Sequence, residues 1–181
     1  MQYREKKPDT IRKDKVNIKK TARMGMLVAL AMIFSYVEVL VPFSVGIPGI
    51  KLGLANLVVV IGLYLFSPGE VFLISVVRIF LMGLLFGNGA TLIYSLAGGI
   101  LSFLIMAVCK MRSKFSIVGI SILGAVFHNI GQLVAAVILL ANIKISYYLP
   151  ILLIAGVITG LVTGFISELS IKAVKHAQIT Y

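Results

Sequence analysis

The sequence contains little of what most catalytic and metal sites require. Its single cysteine, Cys109, excludes an internal disulfide and gives no metal site. The only aspartates, Asp9 and Asp14, stand near the N-terminus, and the two histidines, His128 and His176, fall on different predicted elements. The sequence therefore offers no paired carboxylates, no Ser-His-Asp arrangement with its acid and no histidine metal site. It also has no G-x-x-x-x-G-K-[ST] phosphate loop. We predict that the chain is not an enzyme and holds no metal and no cofactor.

Charged residues are scarce as well. They make up 13% of the 181 residues, whereas hydrophobic residues make up 60% and the mean hydropathy is +1.07. In a soluble domain roughly a quarter of the residues are charged. A chain of this size cannot bury such an apolar excess in one core, because much of its surface stays exposed. The composition predicts an all-α integral membrane protein whose main partner is the lipid bilayer.

The net charge of +11 would suggest nucleic acid if the basic residues were spread over the chain. Nine of the seventeen Lys and Arg, however, lie within residues 4–23. We interpret residues 1–23 as a basic cytoplasmic tail held near anionic lipid, at about 1 kcal/mol per basic residue close to the surface. A specific partner site in the tail is the alternative. The tail lacks the apolar core of a cleaved signal peptide. No nucleic-acid partner is predicted.

Residues 24–181 form the second predicted domain, a six-helix transmembrane bundle. A membrane span needs about 20 predominantly apolar residues. The apolar runs predict helices over residues 24–41, 54–66, 70–86, 90–109, 117–141 and 148–174. The second is short for a span. The connections carry turn formers, and the longest covers residues 42–53 with two prolines and three glycines.

The distribution of Lys and Arg predicts the orientation, because cytoplasmic loops carry the excess of these residues. With the N-terminus inside, fourteen Lys and Arg lie on the cytoplasmic side. Lys51 and Lys144 alone lie outside, and Arg78 falls within a helix. Six spans then return the C-terminus to the cytoplasm of a multi-pass cell-membrane protein.

Polar side chains within the spans are the candidate ligand site. An arginine at the centre of a span costs roughly 2.5–3.5 kcal/mol on insertion scales and normally faces protein or a wet cavity. We predict a substrate pocket in the middle and outer membrane from the polar residues Glu38, Asn56, Arg78, Asn88, Tyr94, His128, Asn129 and Gln132. Two alternatives stay open at this point. The amide and imidazole groups could join helices through hydrogen bonds of about 0.6–2 kcal/mol each. Arg78 could pair with Glu38 across roughly 9 Å of depth.

Small residues at four-residue spacing permit close helix contacts. Gly156, Gly160 and Gly164 form such a stripe on the sixth helix, and residues 95, 99 and 102 form one on the fourth. We expect both stripes to pack within the subunit. A third stripe consists of small residues on the first helix, with no comparable partner stripe in this chain: Ala22, Gly25 and Ala29.

Three segments carry a resemblance to a known family: PGIKLGLANLVVV (48–60), RIFLMGLLFGNGATLIYSLAGGILSF (78–103) and SILGAVFHNIGQLVAA (121–136). They resemble the Gx transporter family, also labelled heptaprenyl diphosphate synthase component I. That family is similar to the substrate-binding S components of energy-coupling-factor (ECF) transporters. The resemblance implies six helices with cytoplasmic termini and an outward-facing pocket. It also implies a small-molecule ligand and separate coupling and ATPase subunits. S components dock through Ala-x-x-x-Ala on helix one, where this chain has Gly25-x-x-x-Ala29.

Three functions follow as hypotheses. The first is a substrate-binding subunit for uptake of a vitamin, quinone precursor, flavin or isoprenoid-like solute, docked through the first-helix stripe. The second is a membrane anchor or scaffold for a quinone- or flavin-linked electron-transfer or prenyl-lipid system. The third is an accessory subunit of a prenyl diphosphate synthase. The aspartate-rich motifs that bind Mg²⁺-diphosphate in such synthases are absent from the sequence.

Overall fold

The computed structural model describes the backbone of residues 8–40, 54–112 and 114–179, and side chains at 18, 20–40, 55–112 and 114–176. Within these ranges the regular elements are helical, as predicted. A short 3-10 segment, Ile143–Tyr148, joins the last two of six α-helices: α1 Pro8–Leu40, α2 Leu54–Leu65, α3 Pro68–Phe86, α4 Gly89–Met111, α5 Ile117–Leu139 and α6 Leu149–Ile179.

Five of these helices contain a stretch long and apolar enough to cross a membrane. Their outer surfaces expose large apolar side chains, among them Leu84, Ile138 and Leu169. A surface of this kind is stable against lipid and not against water. The chain is therefore a multi-pass membrane protein in contact with lipid.

Helix α2 is the exception in length. Its 12 residues extend about 18 Å, less than the roughly 30 Å of a bilayer core. Its residues 55–63 are all buried by protein, with Val60 and Leu63 at the centre of one apolar cluster and Val58 in another. Because other helices enclose it, α2 does not need the length of a lipid-facing span.

Helix α1 differs from the prediction at its start. It begins at Pro8, inside the segment interpreted as a basic cytoplasmic tail, and runs for 33 residues, whereas the predicted helix starts at residue 24. No glycine or proline interrupts residues 9–24, and lysine and arginine are good helix formers, so polarity does not stop the helix. At about 50 Å it is longer than the bilayer core, and its basic first turns extend past the apolar stretch that starts at Lys20. The predicted loop 42–53, with Lys51, lies outside the described residues.

Contacts between helix ends show that the first four helices alternate in direction, and the glycine contacts of α5 with α4 and α6 continue the alternation. Lys20 of α1 forms an ion pair with Glu70 at the start of α3, and the Tyr36 and Phe86 rings, near the other ends of the same two helices, lie 4.8 Å apart. Helices α1 and α3 are therefore parallel. At the end of the bundle where α3 begins, Lys110 of α4 donates a hydrogen bond to the Leu63 carbonyl in the last turn of α2. That bond satisfies one of the carbonyl groups that a helix C-terminus leaves without a partner.

Glycines bring α4 and α6 against α5 at backbone distance. A Cβ added at Gly160 would lie 2.5 Å from Ile122 Cα, and one at Gly131 would lie 2.8 Å from the Ala97 carbonyl oxygen. Hydroxyl groups bridge the same interfaces: Ser102 Oγ donates to the Gly124 carbonyl at 2.7 Å. The expectation that the small-residue stripes pack within the subunit is confirmed. The α6 stripe packs on α5, whereas in the α4 stripe Ser102 contacts α5 and Gly99 lies against Ile79 of α3.

Candidate ligand-binding site

A cavity of about 300 Å³ lies among all six helices. Its volume is at the lower end of the range for small-molecule sites. Apolar residues such as Ile79, Met82 and Phe86 form part of the wall. The polar lining comes from every helix: Ser35, Glu38, Asn56, Arg78, Thr91, Ser95, His128, Asn129 and Thr159. Such a mixture, mainly apolar with a few convergent polar groups, is typical of sites that bind an organic molecule in a fixed orientation.

Arg78 provides the buried positive charge of this cavity. It lies ten residues after the start of α3, at a depth of about 15 Å, and only 7% of its surface is exposed. One guanidinium nitrogen donates to Ser35 Oγ at 2.9 Å, and that hydroxyl donates in turn to the Ala31 carbonyl at 2.8 Å. The Glu38 carboxylate, one turn beyond Ser35 on α1, interacts electrostatically with the guanidinium.

The hydrogen-bonding capacity of Arg78 is not used up by these contacts. A guanidinium has five N–H donors in a fixed fork. Its Nε is buried and has no hydrogen-bond partner in the described part of the chain. An unsatisfied buried donor costs about 1–3 kcal/mol, and more when it is charged. The arrangement therefore leaves a cationic donor group beside the cavity.

Helix α5 supplies the opposite wall with His128 and Asn129. Asn129 is buried, and its Nδ2 donates to the Leu152 carbonyl of α6 at 2.9 Å. The hydrogen bond fixes the amide and leaves the side-chain oxygen as an acceptor. The interhelical bond and the position in the cavity wall are therefore compatible roles for this one side chain.

Gln132 and Tyr94 line a second cavity of about 320 Å³, which also contacts the 3-10 segment. Its wall is mostly apolar, with Leu133, Ala136 and Leu152 among its residues. Three residues line both cavities: Thr91 and Ser95, one turn apart on α4, and Asn129 on α5. The two cavities are therefore neighbours that share a polar wall.

The eight residues expected to form a pocket thus separate into three groups. Five line the first cavity: Glu38, Asn56, Arg78, His128 and Asn129. Tyr94 and Gln132 line the second, together with Asn129. Asn88 is exposed outside both cavities, where it caps α4: its side chain accepts from the Thr91 backbone N–H at 2.9 Å, and its own N–H donates to Thr91 Oγ1 at 2.7 Å.

Four lining hydroxyls were not expected from the sequence as site residues: Ser35, Thr91, Ser95 and Thr159. Serine and threonine inside apolar helices commonly bond to their own backbone, as Ser35 does, so their presence alone indicates little. The one usable signal was position. Ser35 precedes Glu38 by three residues and therefore shares its helix face.

The three small residues on α1 lie away from the cavities. Ala22, Gly25 and Ala29 are all exposed, and a Cβ added at Gly25 would have no neighbour within 4 Å. This stripe is therefore not used for packing among the described residues.

Comparison with known proteins gives one family. The family model described as heptaprenyl diphosphate synthase component I matches residues 27–169, which include all six helices in whole or in part. No curated protein matches the chain. No solved structure matches it either.

Proposed function

Because the chain belongs to the heptaprenyl diphosphate synthase component I family, and because its polar side chains surround a cavity inside the membrane, we propose that it binds a small solute for transport. It would act as the substrate-binding subunit of an uptake transporter, with ATP hydrolysis on separate chains. The carrying observation is Arg78, a buried cation on the wall of a cavity of about 300 Å³.

The position of Arg78 supports a binding role over a purely structural one. A structural ion pair removes two charges from water and is most favourable when packed protein surrounds both partners and hydrogen bonds satisfy their remaining groups. Here Arg78 and Glu38 both line the cavity. A ligand carboxylate, phosphate or other strongly polar group could accept the remaining N–H donors in a two-point contact.

The family description names a component of a prenyl diphosphate synthase, and we propose that this chain does not itself catalyse that reaction. Synthases of that kind hold Mg²⁺-diphosphate with clustered aspartates. This sequence has only Asp9 and Asp14, both before the apolar stretch of α1. If the chain takes part in prenyl-lipid synthesis, it would do so by binding or presenting a molecule to another subunit.

We further propose that the exposed stripe on α1 contacts a transmembrane coupling subunit. Small residues let two helices approach to backbone distance, which is the main source of attraction between helices in lipid. Ala29→Leu should prevent that approach and leave the cavity unchanged, because Ala29 is exposed and does not line the cavity. Ala173→Leu, at an exposed position near the end of α6, is the matched control.

Two measurements test the proposal. Native mass spectrometry of the purified protein should detect a co-purifying small molecule, and Arg78→Gln should reduce its occupancy about tenfold or more, the value of one charged hydrogen bond. Arg112→Gln, which removes an exposed arginine at the end of α4, should leave occupancy unchanged. Co-purification of coupling subunits should be lost in Ala29→Leu and retained in Ala173→Leu.

The contrary outcomes are equally specific. If Arg78→Gln fails to fold and Glu38→Gln restores folding in the double variant, the arginine is a structural ion-pair partner. If no small molecule is retained and both leucine variants recover the same proteins, the chain acts as a membrane anchor or scaffold.

A further inference from the structure

The second cavity suggests what kind of molecule the first one binds. It lies next to the first, across Thr91, Ser95 and Asn129, yet its wall has a different chemistry. Apolar side chains of α5, α6 and the 3-10 segment make up most of it, among them Leu133, Ile145 and Leu152. A single extended ligand could therefore place a polar end beside Arg78 and an apolar end beside these residues.

The polar groups between the cavities are small or already bonded. Asn129 donates to the Leu152 carbonyl at 2.9 Å, and the Thr91 hydroxyl is bonded to Asn88. Neither group is charged, so an apolar chain passing between them would not leave an ion without its partner. Ser95 is the third member of this shared wall and adds only a hydroxyl. A ligand that extends from one cavity into the other would therefore meet no charged group at this shared wall.

Gln132 does not make the second cavity polar, although it is one of its lining residues. The residue is 92% buried, lines this cavity, and its Oε1 has no hydrogen-bond partner in the described residues. Because this oxygen is itself enclosed by protein, it offers no polar contact to a molecule in the cavity. Around it the wall is apolar, so a molecule that fills the space gains mainly from removing apolar surface from water.

We infer that the cargo is amphipathic: an anionic or strongly polar head occupies the cavity of Arg78, and an apolar portion occupies the cavity of Gln132. This inference rests on the proposed binding function and specifies its ligand class. It excludes small, wholly polar solutes, because these would leave the larger apolar cavity unfilled.

The test uses straight-chain carboxylates from acetate to octanoate, with the protein in lipid nanodiscs and empty nanodiscs as the blank. Affinity should rise with chain length by up to about fourfold for each fully buried methylene, until the apolar cavity is full. 1-Octanol, which lacks the charged head, should bind at least tenfold more weakly than octanoate. Arg78→Gln should remove that difference.

A matched set of variants assigns the length dependence to the second cavity. Ala136→Phe fills it and should abolish the gain from acetate to octanoate while acetate binding stays the same. Leu133→Ala enlarges it and should extend the gain to longer chains, which keeps the test informative if the phenylalanine variant does not fold. Ala173→Leu adds similar bulk at an exposed site and should behave as wild type.

The outcomes separate the two levels of the proposal. Carboxylates that bind through Arg78 with no effect of chain length, or with a length effect that Ala136→Phe and Leu133→Ala leave unchanged, would refute the amphipathic ligand and retain the binding function. No Arg78-dependent binding by any carboxylate would refute both.

Discussion

The sharpest stability prediction concerns the contact between α5 and α6 at Gly160. A Cβ at this position would lie 2.5 Å from Ile122 Cα and 3.1 Å from the Ser121 carbonyl oxygen. Carbon atoms in favourable contact lie about 3.5–4.0 Å apart. Gly160→Ala therefore requires the two helices to separate by about 1 Å, because the obstacle is backbone and cannot change rotamer.

The expected cost follows from that displacement. Overpacking of a well-packed interface by one methyl group costs about 1–3 kcal/mol. One turn along α6, the Ser121 and Thr163 hydroxyls are hydrogen-bonded at 3.0 Å, and a shift of about 1 Å would break this contact as well. We expect the midpoint of thermal unfolding to fall by roughly 2–12 °C, at about 2–4 °C per kcal/mol for a chain of this size.

Circular dichroism of the purified subunit in detergent measures this midpoint, because the described chain is helical. Gly25→Ala is the matched control: it is also a glycine inside a helix, but its added Cβ would have no neighbour within 4 Å. It should gain about 0.5–1 kcal/mol from the better helix propensity of alanine. Equal midpoints for Gly160→Ala and wild type would refute backbone-to-backbone packing at this crossing.

Three further outcomes are expected. Ala141 has a positive φ of 46° in the turn that ends α5. Ala141→Gly should therefore raise the unfolding midpoint by the equivalent of about 1 kcal/mol, and Ala141→Val should lower it. The reverse order of the two midpoints would contradict the left-handed turn. Lys110→Met should lower the midpoint by the equivalent of about 1–2 kcal/mol, because the lysine donates a hydrogen bond to the C-terminus of α2 and lies 5.4 Å from the Tyr64 ring centroid. Lys114→Met, at an exposed position, should have no effect on the midpoint. In a cysteine-free background, a cysteine at Gly69 should react only with reagent on the cytoplasmic side and one replacing Lys144 only with reagent outside; labelling of both from one side would refute the alternating arrangement.

Most of the fold was predictable because lipid imposes a simple constraint on sequence. Each lipid-crossing helix needs a long apolar run, and short polar turns interrupt these runs, so five predicted helices agree with the structure to within a few residues. The start of α1 was the exception. The prediction used apolarity to place helix ends, whereas a charged segment such as residues 9–23 can remain helical once it leaves the bilayer.

The candidate site was less predictable, because membership depends on how helices are rotated and offset. Gln132 and His128 share one face of α5, yet a rise of about 6 Å over four residues places them on different cavities. Asn88 looked like a pocket residue from its place near the outer end of a span, but an asparagine directly before a helix is also a favoured N-cap. The cavity that a residue lines, and whether it caps a helix instead, depend on three-dimensional contacts that cannot be inferred from sequence spacing.

Glycine packing also holds one part of the cavity lining more firmly than another. Gly98 and Gly131 bring α4 against α5, and Gly160 brings α6 against it, all at distances that leave no room for a methyl group. Asn129 therefore has a position set by backbone contacts on both sides of α5. Arg78, in contrast, reaches the first cavity on a long side chain, which α1 holds through a hydrogen bond to Ser35 and the electrostatic interaction with Glu38. The shared polar wall is consequently fixed by backbone packing, whereas the position of the Arg78 guanidinium depends on side-chain contacts.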